Sequence, residues 1–434
     1  MTDRITSRLS LASGALGLAL VAGALLAAPA TAAPLPAEAA APNPYNPTCP
    51  QARANVGIDL VASPALTPND EDATVTISAG SLPAGVVLTG SPRGAAYAFS
   101  GKPSMAGTSS FTVKAVFEDA PPKTVDCTMV VGELPAPIRI AGTDRYDQAA
   151  RVSASIFSEA ETVYVASGEK FADALSASSV AGVHGAPLLL TQAGALPAST
   201  ATELERLAPD DVVVVGGALT IGDSVLRELE EVSSHPTVTR IGGVDRYDGS
   251  RKLIADATFG VPSSPMAYLA DGRNFPDALA ASPAAITTNA PVLLVDGSKN
   301  ALTQDEIATL NDAGVADIRI AGGTNSVSAG IESSLVPAFT SKRVSGVNRY
   351  EGAVAVNQAF ATARVAFLAS GELFPDALSA GPAAGHTGNP IYLVQKSCVP
   401  VSVLDDIERI GATEILVLGG TNTVSAEVAA LKPC

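Results

Sequence analysis

The feature that most restricts this chain is a phrase that it says three times. Arg139-Ile140-Ala141-Gly142-Thr143-Asp144-Arg145-Tyr146 returns as Arg240-Ile241-Gly242-Gly243-Val244-Asp245-Arg246-Tyr247, and again as Arg343-Val344-Ser345-Gly346-Val347-Asn348-Arg349-Tyr350. A second phrase follows each time: Phe171-Ala172-Asp173-Ala174-Leu175, Phe275-Pro276-Asp277-Ala278-Leu279, and Phe374-Pro375-Asp376-Ala377-Leu378. The third phrase is a glycine pair after an apolar run: Gly216-Gly217, Gly322-Gly323 and Gly419-Gly420. Order and spacing are kept at roughly 100 residues, well beyond the 20–50 of solenoid repeats. Each copy is long enough to be a small domain, which predicts units at 138–237, 238–340 and 341–434.

Within the first copy the hydrophobic period alternates. Gln148 to Phe157, Phe171 to Val183, Pro197 to Leu207 and Asp223 to Val232 read as helices. Thr162 to Ala166, Pro187 to Thr191 and Asp211 to Val215 read as continuous apolar strands. Strands of that kind, alternating with helices, make a parallel sheet covered on both faces. Each copy is therefore an α/β module.

Upstream the texture changes. Residues 33–47 are rich in Pro and Ala and read as a linker. From 48 to 132, short alternating runs such as Thr74-Val75-Thr76-Ile77 and Phe111 to Phe117 are separated by Pro/Gly turns, which predicts a small antiparallel β-sandwich. Glu133 to Pro137 forms a short stiff joint. At the start of the chain, Arg4 and Arg8 precede an apolar run from Leu9 to Ala28 and an Ala30-Thr31-Ala32 cleavage pattern. This reads as a secretory signal over 1–32 rather than a bilayer anchor, and no second long apolar run follows it. The four cysteines suit an exported chain and allow three pairings. The local one, Cys49 with Cys127 and Cys398 with Cys434, places each bridge inside one predicted domain.

Composition narrows function. Apolar residues make up 47% of the chain and tryptophan is absent, so the cores are aliphatic. A formal net charge of -16 repels nucleic acid. The three histidines and four cysteines offer no metal-ligand spacing, and no dinucleotide fingerprint or G-x-S-x-G nucleophile turn occurs. No cofactor, metal or catalytic residue is predicted.

Ligands of open α/β sheets bind beyond the carboxyl ends of the strands. The repeated phrases fall there, where helix N-termini offer free N–H groups. Arg145, Arg246 and Arg349 are candidate donors to phosphate or carboxylate groups of a polymer. Asp144, Asp245 and Asn348, the acids Asp173, Asp277 and Asp376, and the glycine pairs complete the candidate rim. Each has a structural reading beside it. The glycines permit tight turns, the second-phrase acids cap or complement a helix start, and Asp144 pairs with Arg145. Asn348 in the third copy fits hydrogen-bond acceptance better than acid–base chemistry. The tyrosines read as packing residues.

The combination R-I-x-G-x-D-R-Y, F-x-D-A-L and a strand ending in G-G, three times over 138–434, resembles the cell wall-binding repeat 2 family. The resemblance implies three modules packed as a triangular unit that attach bacterial surface and S-layer-type proteins non-covalently to an anionic wall polymer. Residues 82–117, with their LPAGV, SGKP and AGT turns, resemble the immunoglobulin-like domains of bacterial surface proteins. Together these imply a secreted, wall-anchored protein that displays an adhesive or structural domain and is not an enzyme. A secreted wall hydrolase and a soluble glycan-binding adhesin are the competing readings.

Overall fold

The computed structural model describes residues 44–57, 60, 62–67, 72–91 and 96–434. The expected signal at 1–32 and most of the expected linker at 33–47 lie outside them. The end of that linker is not a linker, because Asn46–Pro47 pairs antiparallel with Leu66–Thr67.

Residues 45–132 form an all-β unit. Arg53–Asn55, Lys123–Gly132, Gly107–Val116 and Thr74–Gly80 make one sheet, and Ser63–Pro64, Ala98–Gly101 and Val86–Thr89 make another. Alternate residues of the long strands, Phe111, Val113 and Ala115 on one and Cys127, Met129 and Val131 on its neighbour, point into a shared core with Phe99. The period of two written in the sequence thus becomes one buried face. Pairing is antiparallel except between Arg53–Asn55 and Lys123–Gly132, which run parallel. Cys49 and Cys127 are joined, as are Cys398 and Cys434. The all-β unit meets the rest of the chain at Glu408, whose carboxylate accepts from Asn55 at 3.4 Å and pairs with Arg53 at 3.5 Å.

From Ile138 onward the chain forms three four-stranded parallel sheets. The strands Val163–Ala166, Leu188–Thr191 and Val212–Val215 are buried along their whole length, as strands covered on both faces must be. The sheets do not, however, follow the copies. The fourth strand of the first sheet is Thr237–Ile241, which opens the second copy and pairs with Asp211–Val215. Thr340–Val344 likewise completes the second sheet against Asp317–Ala321. Ile138–Ile140, the opening strand of the first copy, pairs with Glu414–Leu418 of the third. Every copy therefore hands its first strand to the sheet before it, and the last hand-off closes a ring.

The arginine that opens each phrase staples that strand in place. Arg240 donates to the carbonyl of Gly216 and pairs with Asp223 at 3.0 Å. Arg343 donates to the carbonyls of Gly322 and Ser328 and pairs with Glu332 at 2.9 Å. At the closing joint Arg139 donates to the carbonyls of Gly419, Val424 and Ser425 at 2.7–2.9 Å.

Three helices meet on the axis of this ring: Phe171–Val183, Pro276–Thr287 and Ala380–His386, each touching the other two. Their small residues explain the close approach. A Cβ on Gly182 or Gly385 would fall within 2.4 Å of Ile286, and one on Gly381 would strike the Ser178 hydroxyl. Being buried on all sides, these helices show no amphipathic stripe. At the axis mouth Phe171, Phe275 and Phe374 form a triad with ring centroids 5.5–6.3 Å apart.

Arg139→Ala removes three charge-assisted bonds at the closing joint, each worth about 1.5–3 kcal/mol when partly buried. The expected outcome is a loss of at least about 2 kcal/mol in denaturant titration, with proteolysis beginning in the third module. Stability within about 0.5 kcal/mol of wild type would show that the ring is not held there.

Candidate joint clefts

Handing over the strand places each R-I-x-G-x-D-R-Y phrase across a joint. Its strand lies on one sheet, and the helix that follows packs on the next: Arg145–Ile156 lies against the strand Leu188–Thr191 and the helix Ala198–Leu207 of the first module. The turn between them lies at the carboxyl edge of the preceding sheet, beside that sheet's glycine pair. The candidate rim of one module is therefore a cleft between two. Gly217, Asp173, Asp245 and Arg246 line the first-to-second joint. Gly323, Asp277, Asn348 and Arg349 line the second-to-third. Gly420, Asp376, Asp144 and Arg145 line the joint that closes the ring.

The turn is built by local chemistry. Asp144 is the N-cap of its helix and accepts from the backbone N–H of Tyr146 and Asp147, both at 2.9 Å. Asp245 does the same for Tyr247 and Asp248, and Asn348 for Tyr350 and Glu351 at 2.9 and 3.0 Å. Aspartate and asparagine are interchangeable at such a cap, which accounts for the change in the third copy. In each case a single oxygen, Oδ1, takes both bonds and fixes the helix start. The phrase glycines Gly142, Gly243 and Gly346 lie so close to the first turn of the following helix that a Cβ would come within 2.2–2.5 Å of it.

Arg145, Arg246 and Arg349 each donate one amine to the carbonyl of Gly168, Gly272 or Gly371. Arg246 also stands over the Phe171 ring at 5.7 Å, and Arg349 over Phe275 at 6.0 Å. A guanidinium carries five N–H donors in a fork, so these contacts fix its direction without exhausting it. Arg246 and Arg349 are exposed at the cleft. The tyrosines pack as read from the sequence: a Cβ at Gly168, Gly272 or Gly371 would fall within 2.6–2.9 Å of Tyr146, Tyr247 or Tyr350.

The first glycine of each pair takes a positive φ, 137° at Gly216, 110° at Gly322 and 98° at Gly419. A Cβ on any of them would lie within 2.9 Å of the carboxylate of Asp173, Asp277 or Asp376. The glycines thus have the structural role considered for them, and they also seat the acids in the cleft floor. None of the three acids is an N-cap, but Asp173 and Asp277 lie in the first turn of their helices, where an acid complements the dipole, and Asp376 lies in a turn ahead of Ala380–His386. Burial raises the Asp173 carboxyl above the usual range, against the pull of Lys170 and Arg246. Burial also raises Asp277, opposed by a bond from Ser326 and by Arg349 and reinforced by Asp271.

Three functional groups escaped the sequence reading: the staple arginines Arg139, Arg240 and Arg343, the axial phenylalanines, and Lys170 at the cleft edge. The first two stood inside the repeated phrases, so repetition was the signal. Among the described residues no cluster could hold a metal ion, and no helix is long and apolar enough to cross a membrane. His184 bonds the Gly260 carbonyl at 2.7 Å, and His386 stacks on Phe157.

Since burial holds the Asp173 and Asp277 pKa values above those of the unfolded chain, their contribution to stability is full below the unfolded carboxylate pKa of about 4 and is lost as pH rises through the folded value. The double variant Asp173→Asn/Asp277→Asn is expected to melt higher than wild type at pH 7, with the gap closing as the pH falls through the carboxylate range. A lower melting temperature at pH 7 would contradict this placement.

Comparison with known proteins agrees with this architecture. The model of the cell wall binding domain 2 family matches residues 139–226, 240–332 and 343–429. Over 292 residues the chain is 27% identical to the N-acetylmuramoyl-L-alanine amidase LytC of Bacillus subtilis, covering 67% of this chain and 57% of that protein. Over 291 residues it is 28% identical to the amidase enhancer of the same organism, covering 67% of this chain and 39% of that one. The chain thus spans about half the length of these relatives. Among solved structures it resembles Cwp6 from Clostridium difficile, with a TM-score of 0.61 and 21% identity over 90% of this chain and 68% of that one. Cwp8 from the same organism gives 0.60 and 22% over 75% and 58%. Three tandem matches spanning most of the chain place this protein in the cell wall binding domain 2 family, as a surface protein of the cell wall.

Proposed function

We propose that the chain is exported by its N-terminal segment and held at the surface by the three joint clefts, which bind an anionic secondary polymer of the wall. The observation that carries this reading is the threefold recurrence of one arrangement: a directed guanidinium from one module beside a half-buried carboxylate and a glycine turn from its neighbour. The arginines supply local positive charge on a chain of net charge -16, and the carboxylates supply acceptors for polymer hydroxyls. Three weak sites on one rigid ring gain avidity of roughly 100- to 10,000-fold over one. Tandem active sites would have no such advantage; His184 and His386 make ring contacts with Tyr164 and Phe157, and His235 stands outside the clefts. On this reading the chain has no catalytic role of its own. Its all-β unit is an immunoglobulin-like module with an adhesive or structural task.

The test is co-sedimentation of the full chain with purified walls, before and after hydrofluoric acid strips secondary polymers. Binding is expected to be lost on stripping. Retained binding would point to peptidoglycan, and none to either preparation would sink the anchor reading in favour of a soluble adhesin. Arg246→Ala alone is expected to weaken binding only several-fold. The triple change at Arg145, Arg246 and Arg349 is expected to abolish it, with melting curves confirming a folded chain.

A further inference from the structure

The three joint clefts are not copies of one another. The first-to-second cleft encloses about 770 Å³. The closing joint encloses about 350 Å³ and the second-to-third about 240 Å³. Two local differences accompany the larger volume. After its glycine pair the first module reads Ala218-Leu219-Thr220, where the others read Thr324-Asn325-Ser326 and Thr421-Asn422-Thr423. Its axial helix opens on Lys170-Phe171-Ala172, where the others place a proline after the phenylalanine, Pro276 and Pro375. After the glycine pair this joint presents an isobutyl group where the other two present an asparagine amide; the half-exposed Leu373 of the closing joint stands instead before the axial phenylalanine, where this joint has Lys170.

Leu219 is 97% exposed, and Val244, from the neighbouring module, is 90% exposed; both line the same cleft. A single exposed aliphatic is ordinary. Val347 is one such residue, and the lip facing it carries Asn325. Two in one concave site, above the half-buried rings of Phe171 and Phe374, form an apolar surface of the kind that marks binding. The floor is polar, with Asp173 and Arg246. That excludes a fatty chain, which would leave the half-buried carboxylate unpaired. It suits a ligand with one small apolar group on a hydroxylated ring.

We infer that the first-to-second cleft is specialised for an N-acetylated amino sugar unit of that secondary polymer, with Leu219 as its specificity-determining residue. The acetyl methyl lies between Leu219 and Val244, the C–H face of the ring meets the aromatic rings, and a hydroxyl donates to Asp173. The other two clefts, with Asn325 and Asn422, take hydroxylated units that lack the acetyl group. This rests on the reading of the joint clefts as wall-binding sites.

The experiment titrates the full chain with the trisaccharide of N-acetylglucosamine and with cellotriose, which carries hydroxyls in place of the acetamido groups, and follows the methyl resonances of Val244 for the first-to-second cleft and of Val347 for the second-to-third. Discrimination by one small apolar group is typically tenfold or more. The acetylated trisaccharide is expected to bind roughly tenfold tighter. Leu219→Asn, at a fully exposed position that folding tolerates, is expected to erase most of that difference at Val244, and Asn325→Leu to leave it unchanged there while creating one at Val347. Equal affinity of wild type for the two sugars, or an unchanged preference in Leu219→Asn, overturns the inference. If the same chain sediments with walls yet does not discriminate, only the specificity falls. If it does not sediment with walls, the reading beneath falls as well.

Discussion

Everything in the tandem region depends on one parallel pairing, that of each phrase strand with the last strand of the sheet before it. A three-stranded parallel sheet would leave the long apolar strand Asp211–Val215 with a bare edge, and an exposed edge invites pairing with other chains. Thr237–Ile241 covers it. Two such pairings in a row leave one edge at the end of the chain and one strand at its start, and the third, Ile138–Ile140 on Glu414–Leu418, resolves both. The opening arginines lock the arrangement by answering carbonyls of the glycine turn that would otherwise lose their partners at the edge of the sheet. The closing strand has only three residues against five at the other joints, and it has the staple with the most backbone bonds.

The same hand-off generates the clefts. A turn that must leave one sheet and start a helix on the next crosses the gap between modules, and it brings with it a cap, a glycine and a guanidinium. On the opposite side of the gap stand the glycine pair and the half-buried acid of the preceding sheet. Neither module holds the full set alone. On the proposed reading, attachment to the wall is linked to ring integrity, and a ligand seated in a joint stabilises the assembly that forms it, with the logarithm of one plus its concentration over its dissociation constant.

Much of this was legible in the residues. Continuous apolar strands alternating with helices gave the sheets, and the spans fall within a few residues of the reading: Phe171–Val183 is a helix over the range expected. The cysteine pairs are the local ones. The hand-off was not legible, because three near-identical phrases make pairing within a copy and pairing between copies look alike in sequence. The choice is made by the turn length after Ile140, Ile241 and Val344 and by the axial helices, both non-local. The role of Asp144 was half legible. Asn348 pointed to hydrogen-bond acceptance, and the structure assigns that bond to the helix start. The half-buried environment of Asp173 and Asp277 could not be seen, because it comes from a glycine turn some forty residues downstream.

The central claim is that ligand is held between modules rather than on them. Hydrogen–deuterium exchange of the full chain, with and without soluble polymer released from the wall, tests it most directly. The account predicts new protection on both sides of each joint, in Thr143–Tyr146 with Gly419–Thr423, in Val244–Tyr247 with Gly216–Thr220, and in Val347–Tyr350 with Gly322–Ser326. Protection confined to the outer helices, such as Ala198–Leu207, or to the all-β unit would contradict it.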